Sequence, residues 1–587
     1  MSADGAPSFD LQILSRILRL AWPYRHVFIF AAILAILLAP TASLRPYLIN
    51  KMVDENIVQF DLNGMLKMAA MISGLLVLEV ILQYGFIYST NWLGQCVIRD
   101  LRKSVFSHIT SLRLRFFDQT PIGTITTRTI NDIESINNVF SEGVITIVAD
   151  ILAIIVILVI MFMSSWQLTV ICLATMPLML IATYVFKEKV KSAFQVVRTQ
   201  IARMNAFLQE RISGMRIVQI FTAEKRELKK FRAINREYTQ ANLNSILYYA
   251  VFFPVVEIIS ALALGLMVWW GARGVISEEI SLGALVAFPI YLSMLFRPLR
   301  FIADRFNTLQ MGVVAADRVF KVIDNNEKIE NNGKIEVKRL QGDIKFEHVK
   351  FAYDGINTVL KDVSFGVRPG ETLALVGSTG AGKSTIINIL NRFYDIQEGA
   401  VKIDNINIKD YELSHLRRRI SIVLQDVFLF AGTIYENITL RDDNIGRDEV
   451  VSASKMIGAH EFISRMPDGY DFKVNERGNN LSMGQRQIIS FIRALVYNPD
   501  ILVLDEATSS VDSETEAIIQ YAIERLIQKR TSIIIAHRLS TIKHANKIGV
   551  LSHGRLIEFG THEELLSKKG GHYKKLYEMQ FVETDSI

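Results

Sequence analysis

The sequence predicts a membrane α-helical bundle of six transmembrane helices with long cytoplasmic extensions, followed by an α/β P-loop domain. Three observations carry that expectation. Six apolar stretches of bilayer-spanning length lie before about residue 310. Downstream, the apolar run Thr372–Val376 opens into Gly377-Ser378-Thr379-Gly380-Ala381-Gly382-Lys383-Ser384-Thr385. That segment fits G-x-x-x-x-G-K-[ST] and is followed by the helix-like run Ile386–Leu390. A second apolar run, Ile501–Leu504, ends in Asp505 and Glu506. A chain of 587 residues exceeds what one core organises, so at least two domains are expected.

The spans fall near 26–48, 68–90, 144–163, 166–186, 247–272 and 281–303. Only Ser164 and Ser165 separate the third from the fourth, which predicts a tight hairpin on the outer face. Trp166, Trp269 and Trp270 sit near span ends, where aromatic belts form. Residues 1–25 are polar or amphipathic and lack a signal-peptide pattern; Leu11–Leu20 reads as a helix lying in the interface.

Charge between the spans sets the orientation. Residues 187–236 carry 13 Lys and Arg, and 99–128 is also basic. The outer segment 49–66 carries only Lys51, and 274–282 carries no Lys or Arg. Positive-inside places both termini and two long connections in the cytoplasm, with the cytoplasmic (inner) membrane as the expected location. Each connection reads as a helical hairpin. One turns at Phe116–Gly123 and the other near Ser213–Val218, and their tips are expected to touch the downstream domain. The net charge of +6 and pI near 9.0 follow from this asymmetry, so nucleic acid is not expected as a partner. Only Cys96 and Cys172 are present, which implies neither a disulfide framework nor a thiolate metal site. Arg45, Glu79, Asp150 and Glu257 lie within or near spans; the readings open are that they line the substrate path or respond to protons, or that they form interhelical pairs or lie close to the interface.

The downstream motifs point to nucleotide chemistry. Glycines let backbone N–H groups close around phosphate oxygens, and the following helix N-terminus adds partial positive charge. Lys383 is expected at the β- and γ-phosphates and the Ser384 hydroxyl on Mg²⁺. Asp505 is expected to hold Mg²⁺, and Glu506 to polarise the attacking water. Gln425 follows the strand-like run Ile420–Leu424 and is a candidate contact to metal and water. His537 follows Ser532–Ala536 and is a candidate for the γ-phosphate. Both end apolar runs, where open α/β sheets place ligand sites. Tyr353, 24 residues before the loop, is a candidate to stack on adenine.

Further motifs carry a close resemblance. Leu481-Ser482-Met483-Gly484-Gln485-Arg486-Gln487 resembles the signature L-S-G-G-Q of ABC transporters. Asp505–Asp512 resembles their Walker B and D-loop segments. Glu476-Arg477-Gly478 and Gly432–Ile438 resemble exporter-specific segments. From about residue 10 to 580 the chain looks like an exporter-type ABC half-transporter, a P-loop ATPase domain fused behind its membrane domain. One departure is Met483, which replaces the first signature glycine.

The resemblance implies domains at 1–25, 26–315, 316–342 (linker) and 343–587 (nucleotide-binding domain). It implies ATP held between two such domains, by residues 377–385 of one and by Ser482, Gly484 and Gln485 of the other. It also implies a homodimer, with a heterodimer as the variant, and ATP-driven export or flipping of amphipathic drugs or lipids by alternating access. A dedicated lipid flippase, a peptide or metal-conjugate exporter, and an ATP-gated channel or regulator are the alternatives.

Overall fold

The computed structural model describes residues 10–329, 331–505, 513–536 and 542–578. The chain divides into two compact units. One runs through Thr110 and resumes over Ile122–Asn325; the other takes Ser111–Pro121 and the chain from Asn326.

The first unit is helical. Its principal helices are α1 (Leu11–Leu20), α2 (Arg25–Lys51), α3 (Leu62–Thr110), α4 (Val144–Ser164), α5 (Met176–Ser213), α6 (Glu224–Ile276) and α7 (Leu282–Ile323). In hydrocarbon every backbone N–H and C=O needs an internal partner, so uninterrupted helix is the form these apolar runs take. Among the described residues, five helical segments are long and apolar enough to cross a bilayer: Trp22–Ile57, Leu62–Thr110, Ile122–Ser164, Trp166–Ser213 and Glu224–Ile276. The sixth predicted span opens α7 as a shorter apolar stretch, Leu282–Pro298, where Arg297 and Pro298 end the apolar run.

Helix length exceeds what a membrane needs. α3 has 49 residues and α6 has 53. At about 1.5 Å per residue each exceeds twice the roughly 30 Å of hydrocarbon. The hairpin after α4 is as tight as its two serines require. Ser165 is extended, its hydroxyl accepts from the Leu168 amide at 3.5 Å, and the helix Trp166–Ala174 begins at once.

α1 docks on the end of α7. Asp10 caps α1 by accepting from the Gln12 amide at 2.8 Å, and Ile17 is buried. Arg16 donates two 2.6 Å hydrogen bonds to Asp324 and lies 4.0 Å over the Phe320 ring. α7 itself runs through residues expected in the linker, because Val313, Ala316, Val319 and Phe320 recur at helical spacing and are buried.

Three of the four intramembrane charges are paired. Arg45 on α2 lies 3.7 Å from Glu79 on α3, and Asp150 on α4 lies 2.9 Å from Arg305 on α7. Glu257 on α6 is exposed on the single chain.

The second unit contains two main sheets. Its strands are β1 (Ile344–Ala352), β2 (Thr358–Val367), β3 (Thr372–Val376), β4 (Glu398–Ile403), β5 (Ile406–Asn407), β6 (Ile420–Val423), β7 (Ile501–Asp505), β8 (Thr531–Ile535), β9 (Lys547–Ser552) and β10 (Arg555–Gly560). An antiparallel sheet has the order β2-β1-β4-β5, and a six-stranded sheet the order β10-β9-β3-β8-β7-β6. In the second sheet only β9–β10 is antiparallel. Its inner strands are buried on both faces, which is why β3 and β8 carry no charged residue and are mostly apolar. Ile535 pairs with both Leu375 and Asp505, so β3, β8 and β7 end level with one another.

Breaking the Asp150–Arg305 pair leaves a partly buried guanidinium without its carboxylate. Asp150→Ala is expected to lower the stability of the helical unit by about 2 kcal/mol. The Arg305→Ala/Asp150→Ala double variant should lose less than the sum of the singles. Thermal unfolding in lipid nanodiscs measures both.

Candidate nucleotide site

The site grows from the end of β3. At Gly377 the backbone turns with φ +152, and a Cβ there would lie 2.2 Å from the Leu551 carbonyl oxygen on β9. Only glycine passes that point. Gly382, at φ +105, then starts α8 (Lys383–Leu390) from a left-handed conformation that a side chain would strain. The loop is braced from behind, since the Ala381 amide donates to the Ser378 carbonyl at 3.1 Å and the Gly554 amide to the Ala381 carbonyl at 3.2 Å. Ser378, Thr379 and Gly380 face outward.

Lys383 is buried, and its Nζ donates to the carbonyls of Gly377 at 2.6 Å and Ser378 at 3.0 Å. Burial pushes its pKa down, while the nearby Asp505 carboxylate pushes it up. An ammonium held by neutral carbonyls in a glycine-lined cradle fits a polyanion such as a triphosphate. Ser384 is exposed on the first turn of α8, and Asp505 ends β7. A hydroxyl and a carboxylate are the oxygen donors that a hard divalent cation takes.

Tyr353 is brought to the loop although it is 24 residues away in sequence. Its hydroxyl hydrogen-bonds Thr385 Oγ1 at 3.2 Å and accepts from Asn388 Nδ2 at 3.2 Å, both on α8. Asp354, which follows it, accepts from the amides of Asn357 and Ile356, and these pull its carboxyl down to about 2.

Gln425 lies past β6 beside a recess of about 140 Å³, shared with Arg477, Met483 and Arg486. The recess thus joins it to the segments before and within the signature. Ser482 caps α9 (Met483–Val496) through a reciprocal pair: the Gln485 amide donates to Ser482 Oγ at 3.2 Å, and the Ser482 amide to Gln485 Oε1 at 3.0 Å. The Gln485 side chain is therefore engaged by its own helix start, and Gly484 is buried. Met483 takes a helical position in the first turn of α9, where the missing glycine is not needed for backbone conformation. Glu506 and His537 lie outside the described residues.

The sequence reading did not single out Thr385 and Asn388 as partners of Tyr353, or Leu551 and Gly554 as walls of the loop. Those contacts are set by the strand order, which no local motif announces.

Comparison with known proteins adds the family. A family model for the ABC transporter transmembrane region matches residues 28–299, and an ABC transporter model matches 360–509. A Bacillus subtilis (strain 168) protein named uncharacterized ABC transporter ATP-binding protein YknV is 41% identical over 576 residues, which cover 98% of this chain and 95% of the relative. The chain belongs to the ABC transporter family.

Two further relatives bear on its type. The probable multidrug resistance ABC transporter ATP-binding/permease protein YheH of Bacillus subtilis (strain 168) is 37% identical over 553 residues, covering 92% of this transporter and 81% of the relative. The ATP-dependent lipid A-core flippase of Syntrophus aciditrophicus (strain SB) is 34% identical over 578 residues, covering 98% and 95%. With one membrane region fused ahead of one ATP-binding region, this ABC transporter is an exporter-type half-transporter and an ATP hydrolase. It is a multi-pass membrane protein, and its architecture implies pairing with another ABC chain.

Gly377→Ala places a methyl group against the Leu551 carbonyl. It is expected to weaken ATP binding by at least about tenfold while the fold persists. Displacement of a fluorescent nucleotide, with circular dichroism alongside, reads both.

Proposed function

We propose that the transporter works as a homodimer in the cytoplasmic membrane, with both termini and the ATPase domain on the cytoplasmic side, and exports or flips amphipathic drugs or lipids. The observation that carries the reading is the buried Lys383 in its glycine-built loop, on one chain with helices long enough to span a bilayer. The relatives named as a multidrug exporter and a lipid A-core flippase support the substrate class.

When bound, ATP supplies the free energy of phosphoryl transfer to water, and Mg²⁺ neutralises phosphate charge. The residues of the chain then have distinct tasks. Gly377–Thr385 hold the phosphates through backbone N–H groups and Lys383. Ser384, Asp505 and Gln425 are assigned to the metal, and Tyr353 to the adenine ring. Glu506 orients and deprotonates water, and His537 holds the terminal phosphate. Ser482 and Gly484 complete the site from the partner chain, so one chain alone lacks half of each site. Two bound nucleotides favour joined ATPase domains, and hydrolysis removes that preference. Differential affinity for two states is what drives alternating access.

A dedicated lipid flippase is the second reading, and the flippase relative is the observation that favours it. ATPase activity in nanodiscs across lipids and amphipathic drugs separates the two. Stimulation by drugs and lipids alike marks an exporter of broad range, and stimulation by lipids alone marks the flippase. Glu506→Gln is expected to cut turnover at least about a hundredfold while ATP binding persists. Normal turnover in that variant would remove Glu506 from the mechanism.

A further inference from the structure

The tip segment Ser111–Pro121 groups with the ATP-binding unit and is held there by named contacts. Leu112 bridges to Lys328, the Arg113 amide donates to the Glu327 carbonyl at 2.9 Å, and Tyr394 donates its hydroxyl to Asp118. Beside these contacts lies an open cavity of about 180 Å³ lined by Arg113, Arg115, Tyr353, Asp354, Tyr394 and Gln397, among others.

Most polar groups on that lining are already engaged. Arg113 Nε donates to the Lys328 carbonyl at 2.6 Å, and its other end lies 3.5 Å from Asp395. Gln397 exchanges hydrogen bonds with the backbone of Ala352 at 2.9 and 2.8 Å. Asp354 is engaged by the amides of its own turn, at 2.9 and 2.7 Å. Arg115 differs: its Nε is buried and has no hydrogen-bond partner among the described residues. The lining is also aromatic, with Tyr353 set edge-on to Tyr394 at 4.9 Å and to Phe351 at 4.8 Å.

A guanidinium group and an aromatic ring lining one cavity suit a flat, electron-rich ring system, by stacking and by donation to ring nitrogens. The volume is below the roughly 300 Å³ of a pocket for a drug-sized molecule, which suits a base more than a whole nucleotide. The Tyr353 hydroxyl reaches Thr385, two residues past Lys383, so the aromatic wall and the phosphate loop form one contiguous site.

We propose that Arg115 is a further nucleotide-binding residue, holding the base against Tyr353 from the tip of the first hairpin. The inference rests on Gly377–Thr385 being the ATP site. It makes the base a ligand of a residue that lies five positions past the end of α3 in sequence.

The test uses the full-length transporter in nanodiscs without Mg²⁺, with a ribose-modified fluorescent ATP displaced by ATP or by inorganic tripolyphosphate, which has no base. Arg115→Ala is expected to weaken ATP about fivefold and leave tripolyphosphate unchanged. Arg115→Gln retains much of the side-chain length and polarity and guards against a folding defect; it should weaken ATP in the same selective way. Unchanged ATP affinity in both variants, or equal weakening of ATP and tripolyphosphate, overturns the proposal. Lys383→Ala should lose both ligands. If it binds both normally, the phosphate-site reading fails, whatever Arg115 does.

Discussion

The Lys383 ammonium is the constraint around which the ATP-binding unit is organised. A buried cation is costly unless polar groups surround it, and here the carbonyls of Gly377 and Ser378 supply them at 2.6 and 3.0 Å. Those carbonyls can turn inward only if the loop takes positive φ at Gly377, Gly380 and Gly382. The loop in turn needs β3 central in a parallel sheet, with β9 supplying the Leu551 carbonyl as its back wall and β7 bringing Asp505 level with its mouth. Sheet order, glycine spacing and the site's electrostatics are therefore one requirement stated at three scales.

The helical unit answers to a different solvent. Its helices have to satisfy their backbone internally, so long apolar runs become continuous helices and the loops between them shrink. Charge inside such a unit persists where it finds a partner, as Asp150 does with Arg305 and Arg45 with Glu79. Those pairs join helices distant in sequence, α4 to α7, and adjacent ones, α2 to α3. The docking of α1 follows the same rule at the end of α7, where Arg16 meets Asp324 and Phe320.

The segment Ser111–Pro121 belongs to the ATP-binding unit. It lies between long helices in sequence, yet its contacts are with Glu327, Lys328, Tyr394 and Asp395. Phe116 is buried there, and burial together with Asp118 pushes the Tyr394 hydroxyl pKa well up. A packed aromatic and an ion pair give this segment a defined seat in the ATP-binding unit.

Much of this was legible in the sequence for a physical reason: the features concerned are local. A glycine loop between an apolar strand and a helix, apolar runs of bilayer length, and serines at a tight turn each carry their cause within a few residues. The family itself rests on such motifs. What local pattern did not carry was contact between distant segments. Tyr353 meeting Thr385 and Asn388, Leu551 and Gly554 walling the phosphate loop, and Asp150 meeting Arg305 all depend on neighbours chosen by packing. The sequence by itself determined that the chain is a fused membrane and P-loop protein, because periodicity and loop chemistry act over a few residues. Only the tertiary structure decided which charges pair and that Arg115 and Tyr353 line one cavity, because sheet order and helix docking bring together residues far apart in the chain.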